Sequence, residues 1–151
     1  MIAPSPRELL RQHIEIIEEL RAQGILRTEN NPTGDYAEWL FCRTFGWEQA
    51  PNSEKGFDAT APDGTTYQIK ARRLSGRNNS RQLSAIRTLE FDFLAVVLFD
   101  KWYEVTKAAL IPLEVVERRA TFTKHVNGFR FLATDAVWDE PGVQDVKLIS
   151  D

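Results

Sequence analysis

Residues 57–72 read Phe57-Asp58-Ala59-Thr60-Ala61-Pro62-Asp63-Gly64-Thr65-Thr66-Tyr67-Gln68-Ile69-Lys70-Ala71-Arg72. Phe57 to Ala61 and Thr66 to Arg72 alternate apolar with polar residues, the period of a half-buried strand. Between them Pro62-Asp63-Gly64 reads as a three-residue hairpin loop, with proline presetting φ and glycine taking the left-handed position of a bulge. That loop sets Ala61 opposite Thr65. Counting back along the ladder brings Asp58 opposite Gln68, with Lys70 one same-face step further, so the three polar side chains share one patch. A loop of Asp63-Gly64 alone would slip the register by one and separate Asp58 from Gln68.

The other elements follow outward from this hairpin. Thr33-Gly34-Asp35-Tyr36-Ala37-Glu38-Trp39-Leu40 reads as a helix start with Thr33 as N-cap and Asp35 in the first turn. Ala37, Leu40, Phe41, Thr44 and Phe45 form its buried stripe, and at about 100° per residue Glu38 lies at the stripe's margin. Further upstream, Pro6 to Gln23 is an amphipathic helix stopped by Gly24, whose face of Leu9, Ile16, Ile17 and Leu20 is expected to pack on the body. Downstream, Gln82 to Leu89 reads as a short helix. Phe91 to Phe99 reads as a central, fully buried strand, and Tyr103 to Ile111 as a second strand. Pro112 opens a helix over Leu113 to Arg119, Phe129 to Leu132 suggests a short edge strand, and the tail from Asp135 carries two weak helical pieces broken at Pro141-Gly142. The sum is a single α/β domain over residues 1–151, a central mixed β-sheet flanked by helices in three layers.

The Asp58 patch suits one kind of chemistry. A hard cation such as Mg²⁺ takes oxygen ligands, which a carboxylate, an amide oxygen and a strand carbonyl, here that of Ile69, can supply. Such a metal offsets charge on a phosphate and activates water. A lysine beside that water, here Lys70, can orient it or stabilise the transition state. An ordinary surface ion pair on a hairpin is the plainer reading of the same spacing.

Asp58, nine residues, then Gln68-Ile69-Lys70 resembles the signature of the PD-(D/E)XK phosphodiesterase superfamily: an acid, a spacer, then acid-any-lysine on the adjoining strand. The chain departs from the commonest pattern at Gln68, where Asp or Glu usually stands; some active members carry this substitution. The missing charge should weaken metal affinity. The resemblance spans roughly residues 33 to 100 in the order helix, strand, strand, helix, strand. It implies a restriction-endonuclease-like fold, Mg²⁺ or Mn²⁺ as cofactor, and hydrolysis of phosphodiester bonds, with DNA as the expected substrate. It also implies that Glu38 reaches the Asp58 patch from its helix as a ligand or water anchor, giving Glu38, Asp58, Gln68 and Lys70 as catalytic residues and Asp58, Gln68, Ile69 and Glu38 as metal ligands. Segments Gly34 to Trp39 and Tyr67 to Arg73 resemble a small uncharacterised prokaryotic family, which carries no activity with it.

Charge agrees with a nucleic-acid partner. The chain is formally at -3, yet from Gly64 to Leu89 it holds Lys70, Arg72, Arg73, Arg77, Arg81 and Arg87 with no acid. Phosphate binding needs a local basic patch rather than a basic protein. Ser75-Gly76-Arg77-Asn78-Asn79-Ser80-Arg81 is turn-forming and rich in donors for phosphate oxygens. A noncatalytic nucleic-acid-binding module, or a subunit of a larger defence or repair assembly, accounts for the same charge. A homodimer is open to a chain this short if both strands are to be cut.

Several other functions are excluded or weakly supported. Cys42 is the only cysteine, so no cysteine zinc site exists, and its place beside an apolar stripe suits a packed thiol. His13 lies among Ile14, Ile17 and Leu20 on an amphipathic helix; His125, in the basic-polar segment Thr123 to Gly128, could contact phosphate, but a surface histidine near a turn is the plainer reading. No phosphate-cradling glycine motif, dinucleotide fingerprint or serine elbow is present. No apolar run is long enough for a membrane span, and the N-terminus lacks the zones of a signal peptide, so the cytoplasm is the expected compartment. With 151 residues, 42% of them hydrophobic, the chain can bury one core but not two.

Overall fold

The computed structural model describes residues 2–52, 56–77 and 79–149. Helices α1 (Pro6–Ala22) and α2 (Pro32–Phe45) are followed by strands β1 (Glu48–Gln49), β2 (Ala59–Thr60), β3 (Thr66–Arg73), β4 (Phe93–Phe99) and β5 (Val105–Pro112). Helix α3 (Leu113–Arg119), strands β6 (Thr121–Thr123) and β7 (Gly128–Arg130), helix α4 (Asp135–Trp138) and strand β8 (Gln144–Asp145) complete the chain. The six-stranded sheet runs β1-β2-β3-β4-β5-β8, parallel only between β3 and β4, so it is mixed, with helices flanking it.

Strand β4 is central because nothing in Leu94 to Phe99 can face water; all six residues are buried. Its alternate side chains fill the two layers of one domain, one on each face of the sheet. Ala95, Val97 and Phe99 join Leu40, Phe41, Trp47, Tyr67 and Ile69 under α2, where Trp47 stacks on Tyr67 with ring centroids 3.7 Å apart. Leu94, Val96 and Leu98 join Leu83, Ile86, Val115, Val116, Phe131 and Val137 on the opposite face.

The hairpin forms in the expected register: Ala59 pairs with Tyr67 and Thr60 with Thr66, and Ala61 N donates to Thr65 O at 2.8 Å. Gly64 turns the loop at φ +90°, a conformation that costs a residue with a Cβ. The first strand is shorter than the alternation suggests, covering only Ala59–Thr60. Phe57 leaves the ladder to pack against the layer of Leu94, Val96 and Leu98.

Five expectations are corrected. Helix α1 forms and carries a Ser5–Glu8 capping box, but none of its residues is buried; of the expected face only Ile17 and Leu20 are half-buried, while Leu9 and Ile16 are exposed. Residues 82–89 are not helical, although Leu83, Ile86 and Leu89 recur every third position as on a helix face. The amides of Leu83 and Ile86 are taken by the carbonyls of Phe131 and Phe129, so tertiary pairing outbids the local helix. The strand around Phe129 is not an edge of the main sheet; β7 pairs with β6 in a separate two-stranded ribbon. In the tail only the first helical piece exists, as α4, and the second is replaced by β8. Helix α2 also begins earlier, capped by Asn31, whose side chain accepts from Thr33 N. Among the described residues no helix is long and apolar enough to cross a membrane.

Candidate active site

Where β2 gives way to Asp58, the sheet opens. The Asp58 carboxylate takes the place of a strand: its Oδ2 accepts from Ile69 N at 2.8 Å and from Gln68 Nε2 at 2.9 Å. Both donors use the same oxygen. Oδ1 has no hydrogen-bond partner among the described residues. Because the N–H and C=O of one strand residue point to the same edge, the Ile69 carbonyl also faces this opening.

Helix α2 closes the opening from the other side. Glu38, two turns after the Asn31 cap and beside the buried Ala37, lines the same cleft as Asn31, Thr33, Asp58, Gln68, Ile69 and Lys70; its volume is about 320 Å³. Glu38 makes no hydrogen bond or ion pair among the described residues. Burial, together with the nearby Asp58 and Asp35 carboxylates, pushes it from 4.5 up to about 7, against the pull of Arg27 and Lys70. Asp58 is also raised by burial, while the Ile69 amide and Lys70 oppose the rise. Two carboxylates that have lost water and repel one another are poised to gain from a cation.

Lys70 reaches the cleft from β3 but bonds away from the acids. Its Nζ donates to Ser84 Oγ at 2.9 Å and to the Ala85 carbonyl at 3.1 Å, both on the irregular crossover between β3 and β4. Burial lowers its pKa, Arg87 adds to the lowering, and Asp58 and Glu38 oppose it. The crossover thus works as a clamp on the lysine, a role that a helical reading of residues 82–89 could not show.

No protein-family model and no curated protein sequence matches this chain.

The structure therefore brings together Glu38, Asp58, Gln68, Ile69 and Lys70. Among the described residues no group of three His, Cys, Asp or Glu side chains is placed to hold a metal ion, so any cation here would rest on two carboxylates with neutral oxygens. That donor set fits a hard divalent ion: a carboxylate oxygen of Asp58, the Glu38 carboxylate, the Gln68 Oε1 left over when its Nε2 donates, and the Ile69 carbonyl.

The basic residues divide. Arg72 and Arg73 line a second cleft with Asn31, Thr33, Ala71 and Tyr103, contiguous with the first through Asn31, Thr33 and Ala71. Arg72 donates to Gln82 O, and Arg73 to Lys101 O by two nitrogens at 2.7 and 3.0 Å while lying over the Tyr103 ring. Arg81 pairs with Asp135, which also binds Lys107. Arg87 donates to the carbonyls of Val126 and Asn127. Arg77 is exposed and has no partner among the described residues. Asn78, part of the donor-rich loop, lies outside the described residues.

Sequence reading missed Arg27 and Asp35. Asp35 is buried and its Oδ2 accepts from Arg27 N, Thr28 N and Thr28 Oγ1 at 2.8–2.9 Å, fixing the turn before α2. Both bear on Glu38 through space, and no periodicity marks Arg27. Cys42 is buried as expected; burial and the Glu38 carboxylate push its thiol up to about 12, so it stays protonated.

Proposed function

We propose that the protein is a divalent-metal-dependent nuclease acting on DNA, of the PD-(D/E)XK type with a restriction-endonuclease-like fold. The observation that carries this reading is the convergence of Glu38, Asp58, Gln68, Ile69 and Lys70 on one cleft. The antiparallel β2–β3 hairpin leading into a parallel β3–β4 pair supports the fold reading.

Asp58, Glu38, Gln68 Oε1 and the Ile69 carbonyl would hold Mg²⁺ or Mn²⁺. When bound, the cation would offset charge on the scissile phosphate and lower the pKa of a water. Gln68 keeps Asp58 turned with one oxygen toward the strand and the other toward the cleft. Lys70, held by Ser84 and Ala85, would orient the attacking water and stabilise negative charge on the phosphate. Arg72 and Arg73 would bind flanking phosphates along the contiguous cleft, with the exposed Arg77 adding a further phosphate contact and Arg81 and Arg87 bracing the crossover.

The test is cleavage of supercoiled plasmid and linear DNA with Mg²⁺, Mn²⁺ or EDTA. Cleavage that needs metal and is lost in Lys70→Ala and in Asp58→Ala supports the assignment; cleavage that survives either substitution overturns it. One observation favours a second reading: Gln68 supplies no charge, which suits a silent nucleic-acid-binding module, alone or within a defence or repair assembly. That module predicts salt-dependent binding unaffected by chelator and no cleavage under any metal.

A further inference from the structure

The crossover between β3 and β4 is itself paired. Gln82 lies opposite Leu132 and Ile86 opposite Phe129, so residues 82–86 form an irregular third strand beside the β6–β7 ribbon. Leu83 N donates to Phe131 O, and Ile86 and Phe129 exchange both backbone bonds, which leaves Ser84 and Ala85 facing the single residue Arg130. Two residues against one is a β-bulge, which re-aims side chains beside functional sites. Here the two bulged residues are the ones that hold Lys70.

Alternation gives this small sheet two faces. Leu83, Ile86, Phe129 and Phe131 turn to the core. Thr121, Thr123, Arg130 and Gln82 turn outward and, with Arg119 at the end of α3, line an open groove of about 610 Å³. No acid lines it, and none occurs between Arg118 and Thr134 or between Gly64 and Leu89. Two carboxylates reach its cations or their neighbours, and each is met by two positive charges: Glu140 by Arg118 at 2.7 Å and Arg119 at 3.6 Å, Asp135 by Arg81 and Lys107. Glu114 and Glu117 on α3 lie outside the lining. Arg130 is exposed and has no hydrogen bond or ion pair among the described residues.

We propose that this groove is a second phosphate-binding track for a nucleic-acid strand, with Arg130 and Arg119 on phosphodiester oxygens and the hydroxyls of Thr121 and Thr123 beside them. The track rests on the nuclease reading and extends its substrate contacts across the crossover. Gln82 joins the two sides: it lines the groove, and its carbonyl accepts from Arg72, which lines the cleft contiguous with the catalytic one. A strand held by both Arg72 and Arg130 straddles the bulge that fixes Lys70.

The full chain in EDTA, where binding is read without cleavage, tests the track by fluorescence anisotropy on labelled duplex and single-stranded DNA across a salt series. Arg130→Ala should weaken binding several-fold, and Arg119→Ala combined with it should lower the salt slope by about two. Arg7→Ala on α1, which removes the same charge far from the groove, should leave affinity and slope unchanged. Thermal melts check that each variant folds. Wild-type binding that is unmoved in Arg130→Ala and in the folded double variant overturns the track and leaves the nuclease reading standing. A wild type that binds no DNA overturns both. Inorganic phosphate bound in calorimetry and lost in Arg130→Ala, with DNA binding unmoved, makes the groove a small-anion site and overturns the track as well.

Discussion

Asp58 and Gln68 face one another across the opened end of the β2–β3 hairpin, with Gln68 Nε2 2.9 Å from Asp58 Oδ2. The amide does two jobs a carboxylate could not: it donates to Asp58, and it leaves the site without a third negative charge. Gln68→Glu removes the donor and places two acids side by side. Without metal the variant should be less stable by about 1–3 kcal/mol, the cost of a stranded, repelled carboxylate. With Mg²⁺ or Mn²⁺ it should gain more stability than the wild type does. Thermal unfolding with and without metal reads both effects, and a variant indifferent to metal would contradict the proposed site.

Lys70→Met keeps the aliphatic stem and removes the charge. Cleavage should fall by about 10²–10⁴, the usual contribution of a positioned proton-transfer group, while metal affinity stays within a few-fold. Ser84→Ala leaves the charge and loosens its anchor, so a much smaller loss in turnover should accompany an unchanged substrate affinity. Single-turnover kinetics on labelled duplex separates the two variants.

Glu38 makes the metal-free protein less stable as pH rises. Its folded pKa, about 7, lies above the ordinary 4.5, so the folded state holds the proton more tightly than the unfolded chain. The resulting stability is full below pH 4.5 and is lost as pH climbs to about 7, by on the order of 2–3 kcal/mol. Glu38→Gln should flatten that part of the pH–stability curve. Divalent metal should also flatten it, by favouring the ionised form, and should bind with release of protons measurable by calorimetry in two buffers.

Asp35 couples structure to electrostatics. Asp35→Ala strands the amides of Arg27 and Thr28 that now share its Oδ2, at a cost of about 2–4 kcal/mol. Asp35→Asn keeps an acceptor and removes the charge. It should bring Glu38 back toward the ordinary carboxylate range, because Asp35 is one of the groups that raise it. A carboxyl titration by NMR checks the direction.

Among the basic residues, Arg77 has no internal partner among those described, whereas Arg81 and Arg87 are committed to Asp135 and to backbone carbonyls. Arg77→Ala should weaken DNA binding evenly across sequences and lower the salt slope by about one. Arg87→Ala should cost stability at the crossover instead. Fluorescence anisotropy across a salt series, beside a thermal melt, distinguishes the two.

The hairpin register, the central strand β4, the Pro112-capped helix and the pairing of Asp58 with Gln68 were legible in the residues themselves. Each rests on short-range rules: period-two alternation, a Pro-Asp-Gly loop, an unbroken apolar run. Glu38's place at the margin of the α2 stripe followed from helical spacing, since Ala37, Leu40 and Phe41 had to face a core. What the residues did not disclose was long-range. Leu83 and Ile86 recur like a helix face, but their amides are claimed by Phe131 and Phe129, more than forty positions away, and so Ser84 and Ala85 come to hold Lys70. The stripe of α1 has the pattern of a buried helix, yet the body offers it no surface beyond Ile17 and Leu20. Spacing along a chain determines which side chains share a face; only the closed sheet decides which faces find a partner and which charges are stripped of water.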